Sequence, residues 1–424
     1  MLGLGVGLWG VRGRPGWTPA SLPPEVLLYW SGRTLRQVAG AVDGSGAVDG
    51  LSDSSTAAYL ADLSSHGRPL TQASAGDRPI VGYNPRGRGI ALMGEGARSL
   101  VGAADLAGAR HVYAAITPIG LDLPSYAPLP VPFLAASQGI VTTGGATDAA
   151  HSAIVGLQDT AQLWLPDGSS TVDGVAGSTV GGWCRRQVVR VSRAGDLATG
   201  PLLLLRDHAS AMPAWSWVHE IVVLSASATA EHHALVEAWL EWHLSTPVVA
   251  CALDSLTTGY VLSTQGSLVY RLARNHWRGC VSVPSLGIPG QMISTALVGD
   301  AARLAAVRGR GRNILVLQGG SNDFYNNATR ATVRQHLLDY RAMAEGEGFD
   351  VVLCSIPESP FWVAEGKATE IATHNDTMAA SWEADGFAAY VDVGAPDSLD
   401  GLHFSSAGVN AVVALVGPAT DSLL

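Results

Sequence analysis

Charge is scarce in this chain. Of its 424 residues only 15% are Asp, Glu, Lys or Arg, below the usual share of about a quarter. The balance is acidic, with 36 acidic against 26 basic residues and a formal net charge of −10. No basic run or stripe occurs, which argues against nucleic acid as a partner. Long hydrophobic runs are missing too. The most apolar span, Pro118 to Val141, is broken by Asp122 and by Pro124, Pro128, Pro130 and Pro132, so no segment reads as membrane-spanning. Cysteine is sparse. Cys184, Cys251, Cys280 and Cys354 show no CxxC and no regular spacing. Three of them fall in expected buried strands, so free thiols are expected rather than a disulfide framework. No metal and no cofactor is expected.

The start, Met1 to Gly10, is apolar but lacks a basic n-region and a cleavage site, and glycines interrupt it. Residues 1–22 therefore read as a glycine-rich arm suited to docking on a neighbouring chain, and synthesis in the cytoplasm without a secretory signal is expected. What the chain does have is apolar and turn-rich: 47% hydrophobic residues and 50 glycines. That is a globular composition, and the length suggests two or three domains.

From Pro23 to about Ala211 the texture is β. Short segments such as Glu25–Trp30, His111–Ile116, Gln162–Leu165 and Gln187–Val191 are set among Gly, Pro, Asp and Ser. Many short strands with turns between them predict an all-β sandwich or barrel over 23–245. Trp217–Leu224 then leads through Thr229 into a helix reaching His243, with Leu235, Val236, Trp239, Leu240 and Trp242 as a packing stripe. His232 and His233 are adjacent on that helix and point in different directions, so solvated surface is expected of them.

Ser245-Thr246-Pro247 is the joint, because the proline forbids continuation of the helix. Beyond it, over 246–424, strand and helix patterns alternate. The expected strands are Val248–Leu253, Cys280–Pro284, Asn313–Leu317, Asp350–Ile356 and Ala388–Val393. Helical patterns run near Ser267–Trp277, Leu297–Arg308, Ala328–Glu345, Glu370–Ala384 and Ser406–Leu415. Five strands each followed by a helix predict an α/β doubly wound parallel sheet.

In such sheets ligands bind beyond the carboxyl ends of the strands. Four groups of residues sit at those ends. Asp254-Ser255 follows the first strand, Leu286-Gly287-Ile288-Pro289-Gly290-Gln291 the second, Gln318-Gly319-Gly320-Ser321-Asn322-Asp323 the third and Asp400-Gly401-Leu402-His403 the last. A serine there can serve as nucleophile, and a carboxylate three residues from an imidazole can share one side of a helical turn with it. Glycine N–H groups and an Asn amide can donate to an oxyanion. Each group alone also reads as an ordinary turn or cap.

Taken together and in this order, the four groups resemble the SGNH (GDSL-like) hydrolase family, over roughly Pro247 to the C-terminus. The resemblance implies an SGNH/flavodoxin-like sheet, Ser255 as nucleophile, and an oxyanion hole of Ser255, Gly290 and Asn322. It also implies His403 as base with Asp400 behind it. One departure is Leu253, where the family usually has glycine two positions before the serine. Phe324, Tyr325, Phe361 and Trp362 follow strand ends and are candidates to line an acyl or sugar pocket, or to pack in the core.

In the N-terminal half, Asp62 to Gln72, Asp77-Arg78-Pro79, Gly87-Arg88-Gly89 and Trp217 to Leu224 resemble concanavalin A-like (laminin G-like) jelly rolls. Such modules are frequent in phage tail and bacterial surface proteins. The two resemblances imply a serine esterase acting on an acetylated glycan, with virion assembly or a homo-oligomer as the setting and a virion-associated or released protein. A lipase or thioesterase on lipid esters is the chemical alternative. A glycan-binding structural protein with a vestigial hydrolase is the alternative of another class.

Overall fold

In the computed structural model of the protein the described residues are 22–31, 59–60, 62–67, 70–71, 73–77, 79–83, 90–93, 100–105, 108–118, 138–143, 153–157, 168–177, 186–195, 201–204, 216–258, 266–277 and 279–424. The glycine-rich arm up to 21, Gln162–Leu165 and Cys184 lie outside them.

The N-terminal half is all-β, as expected, and consists of an eight-stranded and a six-stranded sheet whose strand pairs are antiparallel. The strand Ser216–Ser225 is central, pairing with Ala109–Pro118, with Val26–Ser31 and with Ile90–Met93. Its run Trp217, Val218, Ile221, Val222, Val223 and Leu224 is buried throughout, which is why it reads as a continuous apolar stretch rather than an alternating one. Asp62 ties a turn to this sheet, taking the Tyr29 N–H at 3.0 Å and the Ser64 N–H at 2.8 Å.

Helix α1 (Ala230–Leu240) starts at Thr229, whose side chain accepts from the His232 N–H while the His232 ring faces the Thr229 N–H. His233 is engaged as well, with Nδ1 2.7 Å from the Tyr113 hydroxyl. The helix tightens into a 3-10 turn, Glu241–Ser245. Beneath it lies Glu220, wholly buried. Its carboxylate accepts from the Tyr29 hydroxyl at 2.7 Å, the Trp239 indole at 2.6 Å and the Trp242 indole at 3.3 Å, with His243 Nε2 at 2.7 Å. Burial pushes this carboxyl up, but the hydrogen bonds and the His243 charge outweigh it and hold its pKa below the ordinary range. The expected packing stripe of α1 therefore has a polar seam: Val236 and Leu240 are in the core, while the two indoles serve a carboxylate.

Past the joint, four parallel strands form one sheet in the order β1 (Val248–Leu253), β2 (Asn313–Gln318), β3 (Asp350–Cys354) and β4 (Ala389–Val391). Alternate residues feed two cores. Val249, Cys251, Ile314, Val316, Val352 and Cys354 face one; Val248, Ala250, Leu315, Leu317, Val351 and Leu353 face the other. Cys251, Cys280 and Cys354 are free thiols, as expected, and buried.

The sheet has four regular strands, not the five expected. Cys280–Pro284 runs beside β1 and makes only isolated parallel bridges, Val248 with Ser282 and Cys251 with Ser285. The Ser282 N–H reaches the Pro247 carbonyl at 3.0 Å. The next donor in register falls at Pro284, which has no N–H, so one rung is missing before the Cys251 N–H bonds the Pro284 carbonyl at 3.0 Å. Counting this segment, the order is 2-1-3-4-5, and the chain reverses direction across the sheet between β1 and β2.

The helices are α2 (Ser255–Thr258), a turn Leu268–Arg271 that continues as the π-helix Leu272–His276, α3 (Ile293–Val307), α4 (Ser321–Tyr325), α5 (Arg330–Gly346), α6 (Pro360–Ala364), α7 (Ala368–Ser381) and α8 (Ser406–Asp421). The π-helix and α8 cover one face of the sheet, and α3, α5 and α7 the other. The two halves of the chain are joined by more than the linker. Arg186 donates its backbone N–H to Ser282 Oγ at 2.8 Å, and its guanidinium reaches Thr246 Oγ1 at 2.9 Å and the Gly279 carbonyl at 2.7 Å.

Candidate active site

The carboxyl ends of β1 and β2 open onto a cavity of about 370 Å³. Ser255 stands at its floor because β1 ends at Leu253 and, past the single residue Asp254, α2 begins. Asp254 Oδ1 takes the Leu256 N–H at 2.9 Å, which closes the turn under the serine. From the other end of the parallel half comes His403, whose Nε2 lies 3.1 Å from Ser255 Oγ. On its far side, His403 Nδ1 lies 2.7 Å from Asp400 Oδ2. The three side chains form one hydrogen-bonded chain.

Asp400 and His403 are not on a helical turn, as their spacing suggests. They sit on a bend in which Asp400 Oδ1 accepts the Leu402 N–H at 3.0 Å and the His403 N–H at 2.7 Å. Gly401 makes the bend possible with φ +85°, a conformation side-chain-bearing residues rarely adopt. Burial pushes the Asp400 carboxyl up, yet the hydrogen bonds from His403 and Leu402 and the His403 charge prevail and lower its pKa to about 2. It is thus a carboxylate at any ordinary pH. Ionised, it accepts the Nδ1 proton and leaves the Nε2 lone pair toward the serine.

Gly290 and Asn322 both line the same cavity. Asn322 Nδ2 donates to the Gln291 carbonyl at 3.2 Å. An amide NH₂ has two donors, so this contact positions the group and leaves its second proton for another acceptor. Of the four aromatic candidates, Tyr325, Phe361 and Trp362 line the cavity, and Phe324 does not. Phe324 is wholly buried in the core and meets His374 edge-on at 5.3 Å. Successive residues of a helix point about 100° apart, so α4 turns Tyr325 outward, 55% exposed, only by turning Phe324 inward. Tyr325 and Phe361 rings lie 5.9 Å apart at 36°, and Phe361 meets Trp362 at 4.9 Å and 77°.

A buried carboxylate beside the nucleophile escapes sequence reasoning. Asp254 is 1% exposed. Burial, aided by the charge of the nearby Asp323 and opposed by the Leu256 N–H, pushes its pKa up to about 7. Asp323 is itself buried and takes the Ile293 N–H at 3.0 Å. Among the described residues no group of three or more His, Cys, Asp or Glu side chains is placed to hold a metal ion, and no helix is long and apolar enough to cross a membrane.

No protein-family model and no curated protein matches the chain. Solved structures do resemble part of it. One is a lipolytic protein of the G-D-S-L family from Veillonella parvula, 14% identical, covering 40% of this chain and 94% of its own, with a TM-score of 0.36. A second is TesA, 20% identical, covering 42% of this chain and 99% of its own, with a TM-score of 0.34. A third is a carbohydrate esterase family 3 protein from Talaromyces cellulolyticus, 15% identical, covering 42% and 96%, with a TM-score of 0.35. The chemistry is carried by the geometry of Ser255, His403 and Asp400 and not by these likenesses.

Proposed function

We propose that the protein is a serine ester hydrolase of the SGNH type that removes O-acetyl groups from a carbohydrate polymer. The observation that carries this reading is the hydrogen-bonded chain from Asp400 through His403 to Ser255, aimed into a cavity at the carboxyl ends of β1 and β2. His403 Nε2 takes the Ser255 proton as Oγ attacks the ester carbonyl, and the imidazolium so formed faces the Asp400 carboxylate. The developing oxyanion is received by the backbone N–H groups of Ser255 and Gly290 and by the free proton of the Asn322 amide. His403 then returns the proton to the leaving alcohol. Water repeats the sequence on the acyl-serine and releases the acid.

Acetate over longer acyl groups, and a sugar as the alcohol, are supported by the lining. The cavity is modest, and Tyr325 and Phe361 offer ring faces of the kind on which the apolar face of a sugar stacks. The all-β half, with its concanavalin A-like residues, is the part we assign to holding the polymer. The test is hydrolysis of p-nitrophenyl acetate by the wild type and by Ser255→Ala. Release of p-nitrophenol that Ser255→Ala abolishes upholds the esterase; activity unchanged in the variant sinks it. A preference for octanoate over acetate moves the reading to a lipase.

A further inference from the structure

Asp323 is a buried carboxyl that the proposed chemistry does not use. It is 2% exposed and follows directly on Asn322 in α4. Successive helical residues point about 100° apart. Asn322 lines the catalytic cavity and Asp323 does not. Asp323 turns instead toward α3 and α5, where its Oδ2 accepts the Ile293 N–H at 3.0 Å and its Oδ1 lies 3.5 Å from His336 Nδ1.

The Ile293 N–H is the first of α3, one of the four that a helix leaves unbonded at its start. Met292, the N-cap residue, makes no side-chain cap. The cap comes from another helix, and a carboxylate suits the positive end of the α3 dipole. The same bond anchors the loop that leads into α3. Gly290 lies in that loop with φ +75°, and the Gln291 N–H closes a turn onto the Ile288 carbonyl at 3.1 Å. The Gln291 carbonyl in turn accepts from Asn322 Nδ2 at 3.2 Å. The loop carrying one proposed oxyanion donor is thus bonded twice to the helix carrying another, through two adjacent residues. The Asn322 bond alone does not fix the loop, since an amide that swings with it keeps the bond and loses its aim. A second anchor at a different point stops that pivot.

We propose that Asp323 is a positioning residue of the oxyanion hole: by capping α3 from α4 it holds the Gly290 N–H and the Asn322 amide at the separation one oxyanion requires. This rests on the ester-hydrolase reading of the cavity and adds to it a residue that touches neither the substrate nor the reacting atoms.

Asp323→Ala and Asp323→Asn test it together. The alanine removes the acceptor. The asparagine keeps an oxygen for the Ile293 N–H and turns its NH₂ toward His336. On p-nitrophenyl acetate, Asp323→Ala should lower kcat on the order of 100-fold, the effect of losing one oxyanion donor. KM should stay within about twofold, because the interaction is made in the transition state. A neutral acceptor bonds about half as strongly as a charged one, so Asp323→Asn should recover most of the loss. Methylboronic acid adds to the serine oxygen and mimics the tetrahedral intermediate. Its inhibition constant reports only active molecules, so an unfolded fraction does not move it. In Asp323→Ala that constant should rise by a factor comparable to the fall in kcat. Amide exchange at Ile293 and over 288–292 should quicken in Asp323→Ala and not in Asp323→Asn. If the alanine variant does not fold, Asp323→Leu, similar in shape and without an acceptor, takes its place.

A fall in kcat with an unchanged boronate constant makes Asp323 a structural cap only and overturns the proposal. Equal losses in both variants, or unchanged exchange at Ile293 in Asp323→Ala, overturn it as well. An active wild type matched by Asp323→Ala removes the positioning role and leaves the esterase standing. If the wild type cleaves no ester, or Ser255→Ala cleaves it equally well, the ester-hydrolase reading falls and the positioning role falls with it.

Discussion

Trp217, a residue of the all-β half, packs its indole against Gly279 of the parallel-sheet half so closely that a Cβ on Gly279 would lie 2.6 Å from the ring. Gly279 also has φ +75°, so two demands meet there that only glycine satisfies. Trp217 is 1% exposed and belongs to the core that holds Val249, Trp277, Val281 and Val416. The core of the parallel-sheet half is thus completed by a side chain from the all-β half. Trp217→Ala should destabilise the whole protein by about 3–5 kcal/mol. A fragment starting at Thr246 should be far less stable than the full chain, which denaturant unfolding of the two would measure. A fragment as stable as the full chain would show the wedge to be dispensable.

The base and its carboxylate should differ in weight. On the proposed mechanism His403→Ala removes the base and should cost several orders of magnitude in kcat/KM. Asp400→Asn should cost less, since the histidine remains, but it removes the ionised partner of the imidazolium. The carboxylate stays ionised down to about pH 2, so a loss of activity in acid above that pH does not come from Asp400. A wild-type rate independent of pH between about 5 and 8 would exclude a histidine base.

Asp254 should make the protein less stable as pH rises. Its pKa is about 7 in the fold against an ordinary value of 3.8, so its contribution is intact below about pH 4 and is lost as pH climbs to about 7. The loss is on the order of 4 kcal/mol at most. Asp254→Asn should be more stable than wild type at pH 8 and lose that advantage at pH 4. An advantage equal at both pH values in urea titrations would rule this out.

Glu220 should behave in the opposite sense. Its pKa is lowered in the fold, so its contribution is present above the ordinary carboxylate range and lost as pH falls through the folded value. Glu220→Ala strands the donors of Tyr29, Trp239, Trp242 and His243 and should cost about 3–5 kcal/mol. Calorimetric melting at neutral pH checks this, and a change below about 1 kcal/mol would mean that the donors find other partners.

Much of the parallel half is legible in the sequence. Its strands are buried on both faces and read as plain apolar runs, and the chemical groups follow them directly. Ser255, Asn322, Asp400 and His403 stand where local turn chemistry alone puts them, at strand ends. What is not legible depends on partners far away in sequence. Phe324 and Tyr325 are adjacent and alike in character, and only the core against which α4 packs decides which of them faces out. Asp254 reads as a turn residue, and only burial by residues dozens of positions away raises its pKa. Trp217 reads as one more strand residue, since nothing near it in sequence reveals that its ring crosses into the other half. Pro284 is visible, but its effect on the fifth strand depends on the register with β1.

Ser255 and His403 are separated by 148 positions. At a synthesis rate of about 5–20 residues per second, the serine leaves the ribosome roughly 7–30 s before its base exists. Through that interval Ser255 has neither the imidazole proposed to deprotonate it nor the bend that carries the Asp400 carboxylate. On the proposed mechanism, a nascent chain that ends before His403 lacks its base. The proposed site is complete only once the segment from Leu399 to Phe404 has been made and folded.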